Sequence, residues 1–513
     1  MDLDAIIAGI SLSLSWQTLL AVLIGVVLGQ VLGSIPGLTA AMAVALLVPF
    51  TFYFDPWIGI PMMLGMFKGS LFGGSLAAIL IRTPGTPAAA ATVIDGNEMA
   101  RQGKGGKAAR AALFASVTGD TFSDICLIVA AGTLAAIAVR FGPGEYVLLV
   151  GFSLLTLGSL SGRPPWKGLV AMLLGVLIGC IGLDPITGTP RLTFRQLELM
   201  DGIPLIPMLI GLLAVSEVFL QMERSTRSLA ERAVSFSPRR EDNHLSWAEI
   251  RDLTPLTLRS SAIGTVIGAL PGLGATVAAF LAYNEARRVS REPEKFGKGS
   301  IEGVVAPEAA NNAVSGANMI PLLAFGIPGD VAAALILGAF MIQGITPGPM
   351  AFSANPVPLY AIFTAMLLAN FVNFGVGTLF IPLAKRLLVV PRRLLFPAVL
   401  VMASAGAYAM RGSLFDVQLV FVFGLLGYLL TRIGIPLVPL LIGFILAPIL
   451  ERSIRQTLLL VHAADGWANY FFSRPVLMVL TVVLLVITLL VWRQRRKTYD
   501  LGPGTESRPP QDG

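Results

Sequence analysis

The composition of this chain excludes an ordinary soluble protein. Of its 513 residues, 55% are hydrophobic and 13% are charged, whereas a soluble domain carries about 25% charged residues. The two cysteines are too few for a disulfide framework, and the two histidines do not suggest a histidine-based metal site or general base. The net charge of +7 comes from short basic loops of the kind that orient membrane proteins. We therefore expect an all-α polytopic protein in a lipid bilayer that is not an enzyme, has no cofactor and binds no nucleic acid.

A pattern of glycines and prolines near the start of the chain recurs in the second half. The first copy has Gly29, Gly33, Pro36, Gly37 and Leu38, and the second has Gly264, Gly268, Pro271, Gly272 and Leu273 at the same spacing. A second break, Pro84-Gly85, corresponds to Pro328-Gly329. Broken helices are tolerated in a bilayer where the freed backbone groups face protein or a wet cavity, and paired breaks mark the binding sites of secondary transporters.

Positive charges predict the orientation of the two halves. Residues 51–56 and 345–358 contain no Lys or Arg and are predicted to be external, whereas the segments around Arg101 and Arg287 are basic and are predicted to be cytoplasmic. The loop after the first Pro-Gly-Leu break is therefore external, and the loop after the second is internal. Equivalent elements on opposite faces predict an inverted-topology repeat.

The predicted repeats divide the chain into four parts. The first repeat spans residues 1–220, a cytoplasmic linker spans 221–258, the second repeat spans 259–473, and residues 474–513 form a last span and a basic, disordered cytoplasmic tail. Each repeat is predicted to contain a re-entrant hairpin, a discontinuous helix and four ordinary spans. The hairpins are predicted at about 16–54 and at 259–283, and the discontinuous helices at about 58–96 and 301–345. The ordinary spans are predicted at 111–138, 145–161, 168–183, 203–220, 359–381, 395–408, 416–430, 435–450 and 475–492.

The Pro-Gly breaks are predicted to form a cation site. A half-helix that ends at a break presents free carbonyl groups, which suit Na⁺, and the half-helix that begins after it presents free amides and a positive dipole end, which suit a carboxylate. Asp330 has two interpretations, as a helix cap or as a cation ligand. Simple helix kinks are the alternative explanation of the breaks. The predicted cation-binding and tip residues are Pro36, Gly37, Pro84, Gly85, Pro271, Gly272, Thr276, Pro328, Gly329 and Asp330.

Polar side chains near these breaks are predicted to bind the substrate. Asn311 and Asn312 lie in the most polar part of the predicted membrane zone, where amides should face a cavity or a partner backbone, and interhelical hydrogen bonding is the alternative. Lys68 and Arg82 are each predicted either to counter a substrate carboxylate or to extend to the membrane surface. The predicted substrate-binding residues are Thr39, Arg82, Thr83, Thr86, Asn311, Asn312 and Ser315.

These motifs resemble the large permease subunit of tripartite tricarboxylate transporters, the TctA family. The similarity runs from about residue 15 to 460. The segments that carry it are Gly33–Ala40, Gly73–Leu80, Pro84–Pro87, Asp95-Gly96, Met99–Gly103, Pro307–Asn312, Gly326–Gly329, Gly338-Ala339 and Gln343-Gly344. The family usually has Asn just before the first Pro-Gly break, where this chain has Arg82-Thr83.

The resemblance implies a multi-pass carrier of the bacterial inner membrane that imports tricarboxylates or related carboxylates. Transport is expected to be coupled to Na⁺ (or H⁺) and to proceed by alternating access. Two partners are implied, a small membrane subunit and a periplasmic solute-binding protein that delivers the substrate. A stand-alone secondary carboxylate carrier or a channel is the alternative function.

Overall fold

The computed structural model describes residues 3–35, 37–160, 164–185, 187–223, 237, 239–384 and 392–486. Pro36 and the tail from residue 487 onward therefore lie outside the described residues. Nearly all secondary structure in the described residues is helical. Within them, seven helices are long and apolar enough to cross a membrane, which makes the chain a multi-pass membrane protein. Their ranges are Trp16–Ser34, Pro56–Ile81, Ala89–Ala138, Leu205–Glu223, Pro356–Phe380, Leu414–Arg432 and Leu437–Ala463.

The helices of the first half are interrupted at the predicted breaks. Two π-helical turns, Ala100–Lys104 and Gly211–Val215, connect successive helices without a loop. A short antiparallel pair, β1 (Gly182–Leu183) and β2 (Pro190–Arg191), follows the eighth helix. The helices are α1 (Leu3–Ser13), α2 (Trp16–Ser34), α3 (Ala40–Thr51), α4 (Pro56–Ile81), α5 (Ala89–Met99), α6 (Gly105–Ala138), α7 (Pro143–Leu160), α8 (Pro165–Gly179), α9 (Leu205–Ile210) and α10 (Ser216–Glu223).

The second half repeats the order of long helix, break and returning helix. The helices are α11 (Trp247–Gly268), α12 (Gly274–Val289), α13 (Glu302–Ala317), α14 (Met319–Phe325), α15 (Val331–Ile342), α16 (Ala351–Ala354), α17 (Pro356–Phe380), α18 (Arg392–Arg411), α19 (Leu414–Arg432), α20 (Leu437–Ala463), α21 (Trp467–Phe472) and α22 (Pro475–Val486). The break between α11 and α12 corresponds to the one between α2 and α3. The break after α14 corresponds to the one after α4.

Glycines allow two equivalent pairs of helices to pack backbone against backbone. A Cβ added at Gly33 of α2 would lie 2.6 Å from the Cα of Ser70 in α4, and one at Gly264 of α11 would lie 2.8 Å from the Cα of Ala310 in α13. Successive glycines along α2 and α11 approach successive positions along α4 and α13. The two helices of each pair therefore run parallel. Small residues at this spacing permit such close approach in membranes. Each half therefore contains the same parallel pair beside a returning helix.

Several boundaries differ from the predicted ones. Helix α11 begins at Trp247, inside the predicted linker, because Ser246 and Glu249 form a reciprocal capping box there. Helix α8 ends at Gly179, since the last residues of the predicted span pair as β1 with β2. Helix α20 continues to Ala463, because no stop signal follows its apolar part before Asp465-Gly466, and Arg455 pairs with Glu451 at 2.9 Å.

Contacts within the chain define two units. The larger unit contains residues 1–140 and 154–448, and the sites described below lie in it. Its helix α4 is buried on every side over its apolar window, so no face of α4 is left for lipid. The smaller unit contains residues 141–153 and 449–513, where the Nε atom of Arg474 donates to Oε1 of Glu145 at 3.0 Å.

Candidate functional site

The helices that follow the four predicted breaks all begin at one cavity in the larger unit. The cavity has a volume of about 450 Å³, and its wall includes residues 39–42, 86–88, 272–276 and 329–332. These segments contain the first residues of α3, α12 and α15 and the three residues that precede α5. The structure therefore brings one segment from each of the four predicted breaks to the same place.

Side chains accept hydrogen bonds from amides at three of the four helix starts. Thr39 Oγ1 accepts a hydrogen bond from the amide of Met42 at 3.2 Å, and Thr86 Oγ1 accepts one from the amide of Ala89 at 3.3 Å. Asp330 accepts from the amide of Ala333 at 2.8 Å, which is the cap geometry that the sequence allowed. Each of these hydrogen bonds satisfies one of the first amides of its helix, and at α5 the amides of Ala89, Ala90 and Ala91 also donate to backbone carbonyl groups. Helix α12 has no side-chain cap, and Gly272, with a φ of 98°, turns the chain into it.

The helix ends at the cavity wall are amino ends, and two tip carbonyl groups are already engaged. Gln221 Nε2 donates to the carbonyl oxygen of Gly37 at 2.6 Å, and the amide of Gly272 donates to the carbonyl oxygen of Gly329 at 3.1 Å. Helix amino ends carry partial positive charge and favour anions. The backbone groups of the wall therefore favour an anion over a cation.

Asn311 is the polar side chain that most clearly needs a ligand. It is 1% exposed, it lines the cavity, and neither Oδ1 nor Nδ2 has a hydrogen-bond partner in the described structure. A buried amide without partners costs free energy, because its hydrogen bonds with water are not replaced. Asn311 offers the two N–H donors of Nδ2 and the acceptor Oδ1 to a molecule in the cavity.

Asn312 and Ser315 lie on the same helix as Asn311 but outside the cavity wall. Asn312 Nδ2 donates to the backbone oxygen of Glu308 at 2.9 Å and to its Oε1 at 3.0 Å. Ser315 Oγ donates to Oδ1 of Asp120 on α6. The structure thus assigns hydrogen-bonding partners to these two predicted substrate residues.

Arg82 and Thr83 are also outside the cavity wall. Arg82 ends α4 in the left-handed conformation with a φ of 56°, and its side chain is exposed. Thr83 Oγ1 donates to the carbonyl oxygen of Ile81 at 3.3 Å. Of the predicted tip residues, Gly37, Pro84, Gly85, Pro271 and Pro328 do not line the cavity, whereas Gly272, Thr276, Gly329 and Asp330 do.

The cavity wall carries negative but no positive side chains among the described residues. Glu217 and Asp330 line it, and no Lys or Arg does. An anion in this cavity would therefore meet amides and hydroxyl groups beside two acidic side chains. Elsewhere in the described part of the chain, no cluster of three or more His, Cys, Asp or Glu side chains suits a metal ion.

The sequence analysis did not predict that residues of α10 line the cavity. Ser216 and Glu217 line the cavity at the end of the π-helical turn Gly211–Val215. Two signals pointed there: Glu217 is the charged residue within the predicted span 203–220, and intramembrane carboxylates commonly have a function. Lys68, predicted to meet substrate or reach the surface, does neither, because it is 1% exposed and pairs with Asp124 at 2.5 Å.

Comparison with known proteins identifies the family. Residues 19–442 match the sequence model of the tripartite tricarboxylate transporter TctA family. The chain belongs to the TctA family. As a TctA-family protein it is a membrane permease of tripartite tricarboxylate transporters, which places it among transporter components rather than enzymes.

Two relatives of this TctA protein come from Agrobacterium vitis. An uncharacterised 52.8 kDa protein of the TAR-I ttuC' 3' region is 37% identical over 449 residues, which cover 87% of this chain and 88% of that protein. An uncharacterised protein of the TAR-II ttuC' 3' region is 40% identical over 230 residues, which cover 44% of this chain and 94% of that protein. No solved structure matches the chain.

Proposed function

We propose that this chain is the inner-membrane permease that imports tricarboxylates or related carboxylates for a binding-protein-dependent tripartite system. The observation that carries the proposal is the convergence of four helix amino ends on one cavity beside the unpartnered Asn311. A small membrane subunit and a periplasmic solute-binding protein complete the system, as the family name implies.

Coupling to Na⁺ (or H⁺) would reduce the repulsion between a carboxylate substrate and the acidic side chains of the cavity wall. A carboxylate placed there is attracted by the helix amino ends but repelled by Glu217 and Asp330. A cation bound with the substrate removes part of that repulsion. Thr39, Thr86 and Thr276 supply hydroxyl oxygens, and Asp330 supplies a carboxylate, at the same wall. Binding of substrate and cation would then favour one another, as gradient-driven import requires.

Alternating access would use an inverted repeat. The parallel pair α2 and α4 has the same glycine packing as α11 and α13, and each pair precedes a break at the cavity. The distribution of basic residues in the loops predicts opposite membrane orientations for the two halves. In the proposed mechanism, the re-entrant hairpins α2–α3 and α11–α12 move with the broken helices, and the remaining spans act as a scaffold.

Topology and uptake provide the tests. Single cysteines at Asp55 and Lys295 should react with an impermeant thiol reagent from opposite faces of the membrane, and reaction from one face would rule out the inverted repeat. Cells with all three components should accumulate labelled citrate, a representative tricarboxylate, only when a cation gradient is present. Uptake that is independent of the gradient would indicate a channel, and uptake without the binding protein would indicate a stand-alone carrier.

A further inference from the structure

A second polar cluster lies inside the larger unit and does not line the cavity. Four helices contribute to it: Lys68 from α4, Asp120 and Asp124 from α6, Ser315 from α13, and Asn370 from α17. Each of these residues is at most 4% exposed. We call these five residues the charge centre.

Hydrogen bonds hold the charge centre together but leave two oxygen atoms unused. Lys68 Nζ lies 2.5 Å from Oδ2 of Asp124 and 2.7 Å from Oδ1 of Asn370, whose Nδ2 donates to the same Asp124 oxygen at 2.8 Å. Ser315 donates to Oδ1 of Asp120. Asp120 Oδ2 and Asp124 Oδ1 have no hydrogen-bond partner in the described structure.

The charges of the centre do not balance. Two carboxylates face one ammonium group, and Lys68 lies 2.5 Å from Asp124 but 3.9 Å from Asp120. Among the described residues, no other cation lies within ion-pair distance of Asp120. An unpaired charge in a dry interior is strongly destabilising, because its hydration is lost and no opposite charge replaces it. The charge centre therefore needs one more positive charge to be stable.

A proton meets this need better than a metal ion does. Lys68 already occupies the position between Asp124 and Asn370 and would repel a second bound cation. A metal ion also needs several oxygen ligands around it, whereas a proton needs one oxygen atom. Asp120 Oδ2 is such an atom, since it is buried and accepts no hydrogen bond.

We infer that Asp120 is a proton-binding site, separate from the substrate cavity, that makes transport sensitive to the proton gradient. A proton from water forms an O–H bond at Oδ2 of Asp120, and the centre becomes neutral as Lys68⁺, Asp124⁻ and protonated Asp120. Release breaks that O–H bond and returns the proton to water, so no other reactant is consumed. The role in transport rests on the proposed function, whereas proton binding does not.

The helices packed against α6 carry few other buried ionisable groups. Helix α13 contributes the buried Glu308, whose carboxyl group accepts hydrogen bonds from Ser75, Thr92 and Asn312. Helix α5 contributes the buried Asp95, which accepts from the amides of Gly297, Gly299 and Ser300. The buried faces of α11, α14 and α17 carry no charged side chain. Lys68 of α4 is thus the one positive group facing Asp120 among the described residues.

The position of the charge centre connects proton binding to the cavity. Lys68 and Ser315 belong to α4 and α13, the first segments of the two broken helices. Ser315 is one turn beyond Asn311, which lines the cavity, on the same helix. When Asp120 loses its proton, the interior gains a negative charge where α6 meets these helices. That charge opposes a second negative charge in the cavity and biases how the broken helices pack against α6.

Infrared difference spectroscopy of the full-length protein in liposomes tests proton binding without any substrate. Titration with acid should produce the band of a protonated carboxyl group, identified by its shift in D₂O. Asp120→Asn should abolish the band. Asp124→Asn should move its titration to lower pH, because Lys68 then balances Asp120 alone. Asp416→Asn is the matched control and should keep the band, since Asp416 is equally buried but has its own cation, Arg411, at 2.9 Å.

The outcomes separate the proposal from its alternatives. A wild-type protein without a titrating carboxyl band, or a band that persists in Asp120→Asn, would overturn it. If Asp120→Asn does not fold, Asp120→Glu keeps a carboxyl group and should shift the band position, and an unshifted band would equally overturn the proposal. In vesicles that import citrate, Asp120→Asn should remove the response to a pH gradient while dependence on Na⁺ remains. A preserved response to the pH gradient would contradict the role in transport, whereas loss of the proposed function would be seen as absent citrate uptake in the wild type.

Discussion

The cavity and the charge centre are two polar regions of the same unit, and they are built in opposite ways. At the cavity, the side-chain amide of Asn311 lies beside the helix amino ends and has no hydrogen-bond partner in the described structure. In the charge centre, Lys68 and Asn370 satisfy one another and Asp124, and the remaining deficit is a single positive charge. The difference teaches that the cavity leaves an amide with both donor and acceptor capacity unused, whereas the charge centre leaves unused only carboxylate oxygen atoms, which can take up a proton.

The largest expected effect comes from removing the cation of the charge centre. Lys68→Met leaves two buried carboxylates unpaired and should lower the free energy of unfolding by about 3–5 kcal/mol. Thermal unfolding of the purified protein measures it, and adding Asp124→Asn should restore part of the loss. At the cavity, Glu217→Gln should leave the melting temperature nearly unchanged. A Lys68→Met protein as stable as wild type would mean that the two regions are not built differently.

Two glycines of one hairpin should separate packing from binding. Gly264→Ala places a Cβ against the backbone of Ala310 and should cost about 1–3 kcal/mol, seen as less folded protein in the membrane. Gly272 lies at the cavity with a φ of 98°, so an Ala there disturbs the turn itself. Gly272→Ala should raise the cation concentration for half-maximal uptake more than it lowers expression. Equal loss of protein in both variants, with unchanged cation dependence, would make the tip a structural kink.

Adjacent asparagines on α13 provide a finer comparison. Asn311→Ala should raise the citrate concentration for half-maximal uptake about tenfold, the equivalent of one lost hydrogen bond of about 1.4 kcal/mol, with no loss of stability. Asn312→Ala removes a donor from the buried Glu308 and should instead lower the melting temperature. Uptake assays and thermal unfolding measure the two effects. If Asn312→Ala alters the dependence of uptake on citrate concentration and Asn311→Ala does not, substrate binding has been assigned to the wrong asparagine.

The smallest effect is expected at Arg82. Its side chain is exposed and outside the cavity wall, so Arg82→Ala should change the citrate concentration for half-maximal uptake less than about twofold. A change comparable to that of Asn311→Ala would show that the arginine reaches the substrate in another conformation of the transport cycle.

Local signals in the sequence predicted the helix breaks, whereas side-chain contacts between residues far apart in the sequence could not be predicted. Pro and Gly at 271–272 and 328–329 act on their own backbone, so their effect can be read directly. The position of Arg82 depends on a left-handed turn that directs its side chain away from the cavity, which no pattern indicated. The partners of Lys68, at positions 124 and 370, depend on how α4, α6 and α17 pack. For that reason the sequence suggested a substrate ligand where the structure has an internal ion pair.

The central claim is that the carboxylate binds where the four helix amino ends meet. The direct measurement is substrate protection of single cysteines at Thr86 and Thr276, one cavity residue from each half, after Cys126→Ala and Cys180→Ala remove the native thiols. Citrate should slow thiol modification at both positions with the same concentration dependence and leave a cysteine at Thr83, outside the cavity wall, unaffected. A transport-competent protein in which citrate protects neither cavity position, or protects Thr83 as strongly, would contradict the account.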